Sequence, residues 1–408
     1  MTPQNEDDFQ VLGLPLSPKA EALSHHLTPI LGKCAEALDR LFEIKSLHLQ
    51  YVMLRMGFNI TKISHLMRTL SPEMLADFLA QWDHMMQGAV ERLLGWGTTS
   101  PTVRQQIGLP VQLGGMGLPA ASAIAPIAFV AGYAGAARLA RSLFSSTTGY
   151  SAWDSAASKH AETLNSFRPP KARAITAQDF LEIDGLMTRG SQHEWTSWWH
   201  AHTHSQISAV PSDLPAEEQR QRACLLAATT RYSGSFLSIG PATQVISNTT
   251  FHLGVRRRLG LSLIPQHRQA TCLGCIRRKP LSTGPMDSFG DHIWSCSSTK
   301  QVRSRVHNNV RDLLLHYFQE AGFEVEKEVS LPMLGDRGNR GADIYVKNWF
   351  EDRHLAIDLT VRNPTTPGYL AESSRRRLAA AYKGERDKTT YYGRTLDPSH
   401  FRVFKFQA

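Results

Sequence analysis

Apolar and polar side chains alternate in two short segments near the C-terminus, residues 340–346 and 355–361. Alternation that includes β-branched residues predicts strands, and the polar residues between the two segments predict a turn. We therefore expect an antiparallel hairpin whose midpoint lies between Phe350 and Glu351.

That midpoint sets the register of the predicted hairpin. It pairs Ile344 with Ile357 on an apolar face and Asp343 with Asp358 on the opposite face. Two carboxylates about 5 Å apart destabilise a sheet unless a cation compensates them. Mg²⁺ prefers oxygen ligands and serves phosphodiester chemistry, so the pair predicts a Mg²⁺ site. A solvated pair of acids beside a turn explains the hairpin alone equally well.

Helical periodicity precedes the hairpin. Residues 299–321 predict a helix that ends at Gly322, with Arg303, His307 and Arg311 turned outward. The apolar positions expected to be buried are Val302, Val306, Val310, Leu313, Leu314 and Tyr317. His307 is a candidate for contact with a phosphate, with a capping or surface role as the alternative.

Two more candidates come from the neighbouring segments. Residues 323–331 alternate as a strand and place Glu328 on its acidic face, where it is a candidate accessory acid near the metal. Residues 373–392 predict a helix on which Lys388 shares a side with apolar positions, while Lys383 lies on the other side. Lys388 is therefore the candidate catalytic lysine, although a lysine at the edge of an apolar stripe is more often structural.

The N-terminal part of the chain has a helical pattern, clearest over residues 27–94. The uncharged run 118–137 is long enough for a membrane span, but its Ala, Gly and Pro126 favour a tightly packed helix outside a membrane. The acidic, polar start of the chain is unlike a signal peptide.

The formal charge of +9 is concentrated in the C-terminal third, which favours a polyanionic partner such as nucleic acid. The run 256–258 consists of three arginines, and successive residues of a helix point in different directions. We expect a solvated surface there, with phosphate contact as the lesser alternative.

The cysteines carry the second strong signal. Cys272 and Cys275 have the spacing of a zinc knuckle, and His292 and Cys296 follow at a short distance. Three thiolates and an imidazole match a closed, structural Zn²⁺ site, whereas unrelated buried cysteines are the alternative. With five cysteines in all, the odd number favours a reducing compartment over a disulfide framework.

These residues together resemble the C-terminal part of the polyprotein of site-specific non-LTR retrotransposons, whose restriction-like endonuclease follows the reverse transcriptase. The resemblance covers most of the chain and is loosest over residues 145–240. The matching segments are 9–13, 52–55, 66–68, 82–83, 109–118, 257–261, 290–292, 307–312, 342–343 and 358–361.

The resemblance implies a Mg²⁺-dependent endonuclease of the PD-(D/E)XK type that nicks DNA to prime reverse transcription. It implies Asp343 and Asp358 as metal-binding carboxylates, Lys388 as the lysine that acts on water, and a structural zinc. The predicted nucleic-acid contacts are His307, Asn308, Arg311 and Arg340. The implied partners are a DNA target and the element RNA, the implied location is the nucleus, and no membrane is involved.

The expected fold class is α+β. We predict a helical region that resembles a polymerase thumb over residues 1–143 and a helical middle region over 144–264. A zinc knuckle over 265–298 and a restriction-endonuclease-like α/β core over 299–408 complete the division.

The chain also departs from the family pattern. Gly341 and Ala342 replace the usual proline before the first acid, and Thr360 stands where many restriction enzymes have their lysine. The Tyr-X-Asp-Asp polymerase motif is absent, so we expect no reverse transcription from this chain alone and interpret it as a fragment of a longer element. The alternative function is an inactive zinc-containing nucleic-acid-binding module or a relic of a mobile element.

Overall fold

The computed structural model divides the chain into two compact units. One comprises residues 1–209 and 230–255, and the other comprises 210–229 and 256–408. Within them the structure describes residues 10–11, 14–15, 20–95, 99–144, 148–175, 191–209, 215–230, 232–238, 245–265, 270–278, 286–329, 342–351, 353–392 and 401–407. The predicted four-part division stays a prediction.

The first unit is built from helices, apart from a minimal hairpin of β1 (Gln10–Val11) and β2 (Leu14–Pro15). Its helices are α1 (Ala20–Leu41), α2 (Leu47–Gly57), α3 (Ser64–Thr69), α4 (Ala76–Leu94), α5 (Pro101–Gly108), α6 (Ala121–Phe144), α7 (Thr148–Ser166) and α8 (Ser191–Ser208). The helical pattern predicted for residues 27–94 is thereby confirmed.

The uncharged run 118–137 lies in α6 from Ala121 onwards, and α6 packs against α3, α4, α7 and α8 of the first unit. Asp83 caps this helix by accepting hydrogen bonds from the N–H groups of Ala121 and Ser122 at 2.6 and 3.1 Å. At Gly132 a Cβ would lie 2.0 Å from the carbonyl oxygen of Arg68, so only glycine permits this approach of α6 to α3. None of the described helices has the combined length and hydropathy that crossing a membrane requires.

The second unit contains both helices and a sheet. Its helices are α9 (Ala216–Ala228), the C-terminal end of α10 (Asn248–Arg258), α11 (Leu273–Arg278), α12 (His292–Ser295), α13 (Lys300–Glu320), α14 (Pro367–Ser373) and α15 (Ala379–Tyr392). Its strands are β3 (Val325–Val329), β4 (Ala342–Phe350), β5 (Arg353–Arg362) and β6 (Phe401–Gln407). The chain is thus α+β and mostly helical, which confirms the predicted class at this level.

The sheet has the order β3-β4-β5-β6. The first three strands are antiparallel, while β6 runs parallel to β5. Ile344 pairs with Ile357, as predicted, and both side chains lie in the apolar core of this sheet. Near the turn, however, Phe350 pairs with Arg353, so the tip lies one residue beyond the predicted midpoint.

An irregularity between Val346 and Phe350 accounts for the displaced tip. The register shifts within this interval, and Asn348 has a φ of 48°. Between the pairs Val346–Leu355 and Phe350–Arg353, β4 advances by four residues and β5 by two. The two extra residues of β4 change the pairing beyond them and leave the pairing before them intact. The register at the two aspartates therefore follows the prediction although the turn does not.

Helix α13 confirms the predicted bounds within a residue but not the predicted face. Val302, Leu313 and Tyr317 are 47%, 51% and 55% exposed, whereas Arg311 is only 3% exposed. The apolar residues that pack on the sheet core from this helix are Leu314, Leu315 and Phe318. The outward orientation predicted for the polar face was wrong, because that face meets acids and carbonyl groups of the same unit.

The helix predicted over residues 373–392 begins at Ala379, six residues later than predicted. A short α14 ends at Ser373, and α15 begins at Ala379 after Leu378, whose φ is 57°. A residue in the left-handed region cannot lie inside a right-handed helix, so α15 starts after Leu378. Ala380, Ala381 and Gly384 are buried on the inner face of α15.

Candidate functional site

Four candidate zinc ligands converge in the second unit. The donor atoms of Cys272, Cys275, His292 and Cys296 all lie within 4.8 Å of one another. Cys275 Sγ lies 3.3 Å from His292 Nε2 and 3.4 Å from Cys296 Sγ, and Cys272 Sγ lies 3.9 Å from Cys296 Sγ. Tetrahedral zinc with Zn–S bonds of about 2.3 Å requires sulfur–sulfur separations of about 3.8 Å. The cluster could therefore hold a metal such as zinc.

Local turns bring these ligands together. Asp287 accepts hydrogen bonds from the N–H groups of Phe289, Asp291 and His292 at 3.0, 3.0 and 2.6 Å, which fixes the start of α12. At Gly274 a Cβ would lie 2.8 Å from Ser298 Cβ, so the glycine lets α11 approach the segment after Cys296.

The thiols share protons among themselves. Hydrogen bonding to Cys296, followed by burial, raises the pKa of Cys275 to about 11. Burial opposes ionisation of Cys296, yet hydrogen bonds with Cys275 and Ser298 lower its pKa to about 6. Because zinc binds thiolates, a bound cation would favour the loss of the protons that the cluster otherwise retains.

Helix α13 is attached directly to the cysteine cluster. The Arg303 guanidinium donates hydrogen bonds to the carbonyl groups of Trp294 and Cys296 at 3.2 and 2.7 Å. The hydroxyl of Thr299 donates to the carbonyls of Ile293 and Cys296 at 2.6 and 2.9 Å. These donors satisfy carbonyl groups at the end of the short α12, so the cluster and α13 are held in a fixed relation.

The two predicted carboxylates meet across β4 and β5. The carboxyl groups are close enough to shift each other's pKa, and Asp343 Oδ2 accepts a hydrogen bond from the N–H of Leu359 at 2.6 Å. Burial, reinforced by the hydrogen bond with Asp343, raises the pKa of Asp358 to about 6 against the opposing effect of Lys388. Burial would also raise the pKa of Asp343, but hydrogen bonds with His307, Asp358 and Leu359 hold it below its usual range.

Each carboxylate also contacts a basic side chain. Lys388 Nζ lies 2.6 Å from Asp358 Oδ2, and His307 Nε2 lies 3.3 Å from Asp343 Oδ2. The hydrogen bond to Asp343 raises the pKa of His307, and Asn308 Oδ1 lies 3.3 Å from its Nδ1. The structure therefore brings together four of the residues singled out from the sequence, from β4, β5, α13 and α15.

Glycine at position 384 permits the approach of α15. A Cβ there would lie 3.0 Å from Thr360 Oγ1 and 3.1 Å from Arg362 Nε. Lys388 follows one helical turn later, on the same side of α15. The close contact at Gly384 thus sets the distance from which Lys388 reaches Asp358.

The other predicted site residues have different surroundings. Arg311 is buried and forms ion pairs with Glu328 and with Asp312, the latter at 2.8 Å. This pairing holds Arg311 away from solvent and ties Glu328 to α13. Arg340 lies outside the described residues.

An open cleft of about 840 Å³ lies beside the carboxylates. The knuckle and α13 contribute to its lining, as do the end of β5, α14 and Lys388 of α15. Its polar and aromatic lining includes Trp294, Lys300, Arg303, His307, Asn308, Thr360, Arg362, Asn363, Tyr369 and Lys388.

Sequence reasoning missed a buried polar network around Asp291. Its carboxylate accepts from Arg220 Nε at 2.8 Å and from Thr365 Oγ1 at 2.6 Å, and Arg257 donates to Asn363 Oδ1 at 2.6 Å. The network joins the knuckle to α9, to α10 and to the loop after β5. The available signal was Asp291 itself, an acid next to a predicted metal ligand.

The arginine run 256–258 is likewise not the solvated surface that we expected. Arg256 and Arg258 are 2% and 6% exposed, and Arg256 Nε donates to the carbonyl of Ser262 at 2.6 Å. Burial lowers the pKa of Arg256 to about 10. These side chains are therefore part of the interior.

No protein-family model matches the chain, and no curated protein matches it either. The two candidate sites accordingly stand on their own geometry.

Proposed function

We propose that the chain is a Mg²⁺-dependent DNA endonuclease. The supporting observation is the convergence of Asp343, Asp358 and Lys388, with His307 at the same place, from four separate elements. A pair of carboxylates, beside a lysine that lines a cleft of about 840 Å³, is a donor set suited to metal-assisted hydrolysis. Two buried oxygen donors also fit the preference of Mg²⁺.

In this proposal the two carboxylates hold the metal, which when bound supplies positive charge to the phosphate and lowers the pKa of water. Lys388 would orient water through its ammonium, or, after that ammonium has lost a proton to solvent, would accept a proton from water as the neutral amine. His307 holds Asp343 in place by its hydrogen bond, and Asn308 fixes the ring of His307. Thr360 takes no part in proton transfer, because a hydroxyl lacks the basicity of the lysine it replaces.

The fold of the second unit and the origin, partners and location of the chain are part of the same proposal. We interpret the second unit as a restriction-endonuclease-like core joined to a zinc knuckle, on the strength of the sheet, its flanking helices and the cysteine cluster. The motif resemblance then suggests a retrotransposon origin, a DNA target, an element RNA as a partner and a nuclear location. Arg311 is no longer a candidate DNA contact in this proposal, because its partners are Glu328 and Asp312.

A nucleic-acid-binding module without catalysis is the second candidate. The observation that favours it is the pairing of each carboxylate with a basic group of the chain itself, which compensates the acids without any metal. This candidate predicts salt-sensitive binding that survives loss of Asp343 and is accompanied by no cleavage.

Nicking of supercoiled plasmid DNA by the full chain in Mg²⁺ tests the leading proposal. We expect Asp343→Asn and Asp358→Asn each to lower the nicking rate by about 100-fold or more, because each removes a charge that holds the metal. Asp39→Asn is the matched control, since Asp39 is 83% exposed and lies in the first unit. Nicking that is equal in all four proteins would exclude this site.

A further inference from the structure

The face of β5 that carries Asp358 continues to the end of the strand. Asp358, Thr360 and Arg362 occupy alternate positions, so they share one face, while Ile357 and Leu359 pack in the core on the other. Four residues of strand place Arg362 about 13 Å from Asp358 along the strand. Both Thr360 and Arg362 line the cleft.

Most cationic side chains of the cleft are already engaged within the chain. Arg303 donates to carbonyl groups of the knuckle, and Lys388 forms an ion pair with Asp358. His307, the third engaged basic side chain of the lining, is paired with Asp343. The remaining two are Arg362 and Lys300, and Lys300 is exposed at the start of α13. These two are available to an anion that enters the cleft.

The surroundings of Arg362 hold its side chain without neutralising it. Its Nε is buried against α15 at Gly384, and its Cζ lies 5.9 Å from the centre of the Tyr369 ring. The one described acid near it is Asp387 at 3.9 Å, in a pair whose side chains are 33% and 53% exposed. An ion pair that long and that exposed contributes little, so the guanidinium charge remains available.

We propose that Arg362 is a phosphate-binding residue that positions a nucleic-acid strand in this cleft, next to the phosphodiester at the carboxylate pair. The inference rests on the proposed function for the identity of the ligand. A guanidinium binds phosphate oxygens through parallel N–H groups, and such contacts fix the position of a strand without reading its sequence. Tyr369 keeps the guanidinium plane in place through a cation–π contact.

The test measures DNA binding, so that it does not depend on cleavage. A fluorescein-labelled DNA duplex of mixed sequence is titrated with the full chain carrying Asp343→Asn, in EDTA and at several salt concentrations. Adding Arg362→Ala should weaken binding by about tenfold and lower the slope of log K against log salt by about 1, because one phosphate contact is lost. Arg362→Lys should keep the slope, since a lysine retains the charge.

Arg375→Ala is the matched control, because Arg375 is an exposed arginine of the same unit outside the cleft lining. It should change neither affinity nor slope. The inference is overturned if Arg362→Ala matches this control, or if the Asp343→Asn parent binds no DNA. If Arg362→Ala has the expected effect while the wild-type chain nicks nothing in Mg²⁺, the subsite stands and the proposed endonuclease fails.

Discussion

The cysteine cluster and the carboxylate pair reduce the repulsion between their negative charges in different ways. Both gather groups that carry negative charge when ionised. The thiols have one another, His292 and Ser298 as hydrogen-bond partners, and their protons reduce the repulsion. The carboxylates instead have Lys388 and His307, two basic groups brought in by helices.

The difference shows why close acids alone do not establish a metal site. Repulsion between carboxylates calls for a cation, but a lysine of the same chain can supply it. Three thiols and an imidazole at these separations lose their compensating protons when they ionise, and they then match the coordination preferences of zinc. We therefore expect the cysteine cluster to need a bound metal for its stability, whereas the carboxylate pair can be stable without one while Lys388 is present.

The largest expected effect is loss of the metal from the cysteine cluster. Cys275→Ser should abolish binding of about one zinc per chain, with a cost on the order of 10 kcal/mol of metal-binding free energy that is coupled to folding. Elemental analysis and thermal unfolding measure the two consequences. Cys34→Ala, at a buried cysteine in the first unit, is the control and should keep the full metal content. A Cys275→Ser protein that retains its zinc would refute the assignment.

Removal of Lys388 should have the next largest effect. In EDTA at pH 8, Lys388→Met leaves the Asp358 carboxylate, whose side chain is 4% exposed, without its ion-pair partner. We expect the free energy of unfolding to fall by about 2–3 kcal/mol, less than for a fully buried pair because Lys388 is partly exposed. Chemical denaturation provides the measurement, with Lys383→Met as the control. Partial recovery on addition of Mg²⁺ would favour a metal site, and identical stability of the two variants would contradict the pairing.

The smallest expected effect is a dependence of the free energy of unfolding on pH between 4 and 6, which arises from Asp358. Because the folded pKa of Asp358, about 6, exceeds the ordinary value of 3.8, the folded state binds the proton more tightly. The contribution of Asp358 is complete below pH 4, and stability decreases as the pH rises towards 6. We expect a decrease of about 1–2 kcal/mol in EDTA, from denaturation curves across that range.

Asp358→Asn should remove this slope between pH 4 and 6. A separate decrease above pH 6.5 should remain in that variant if His307 keeps its raised pKa through Asp343. A wild-type protein whose stability increases with pH over the same window would show that the proton is not held at Asp358.

Patterns within short segments were readable from the sequence. The pairing of Ile344 with Ile357, the cysteine cluster and the side of α15 on which Lys388 lies all follow from spacing within one or two elements. The side-chain period is two residues in a strand and 3.6 residues in a helix, and it determines which residues lie on the same face.

The burial of polar side chains was predicted wrongly where another group of the same chain binds them. Arg311 and Arg256 were expected outside, yet both are buried, because Glu328 and the carbonyl of Ser262 satisfy them. Leu313 and Tyr317 were expected inside and are half exposed. Partners in other elements or loops cannot be identified from one sequence, because hydrophobic periodicity indicates which residues avoid water and not which polar groups bind one another.

The polar face of α13 presents three side chains at intervals of four residues. Arg303 holds the carbonyls of the knuckle, His307 holds Asp343, and Arg311 holds Glu328. Inserting a single residue between the first and the last would rotate one part of this row relative to the other by about 100° and dislocate at least one partner. Insertions and deletions within this helix should thus disrupt the two sites far more than substitutions on its solvent side. The length of α13 therefore fixes the position of the cysteine cluster relative to the carboxylate pair.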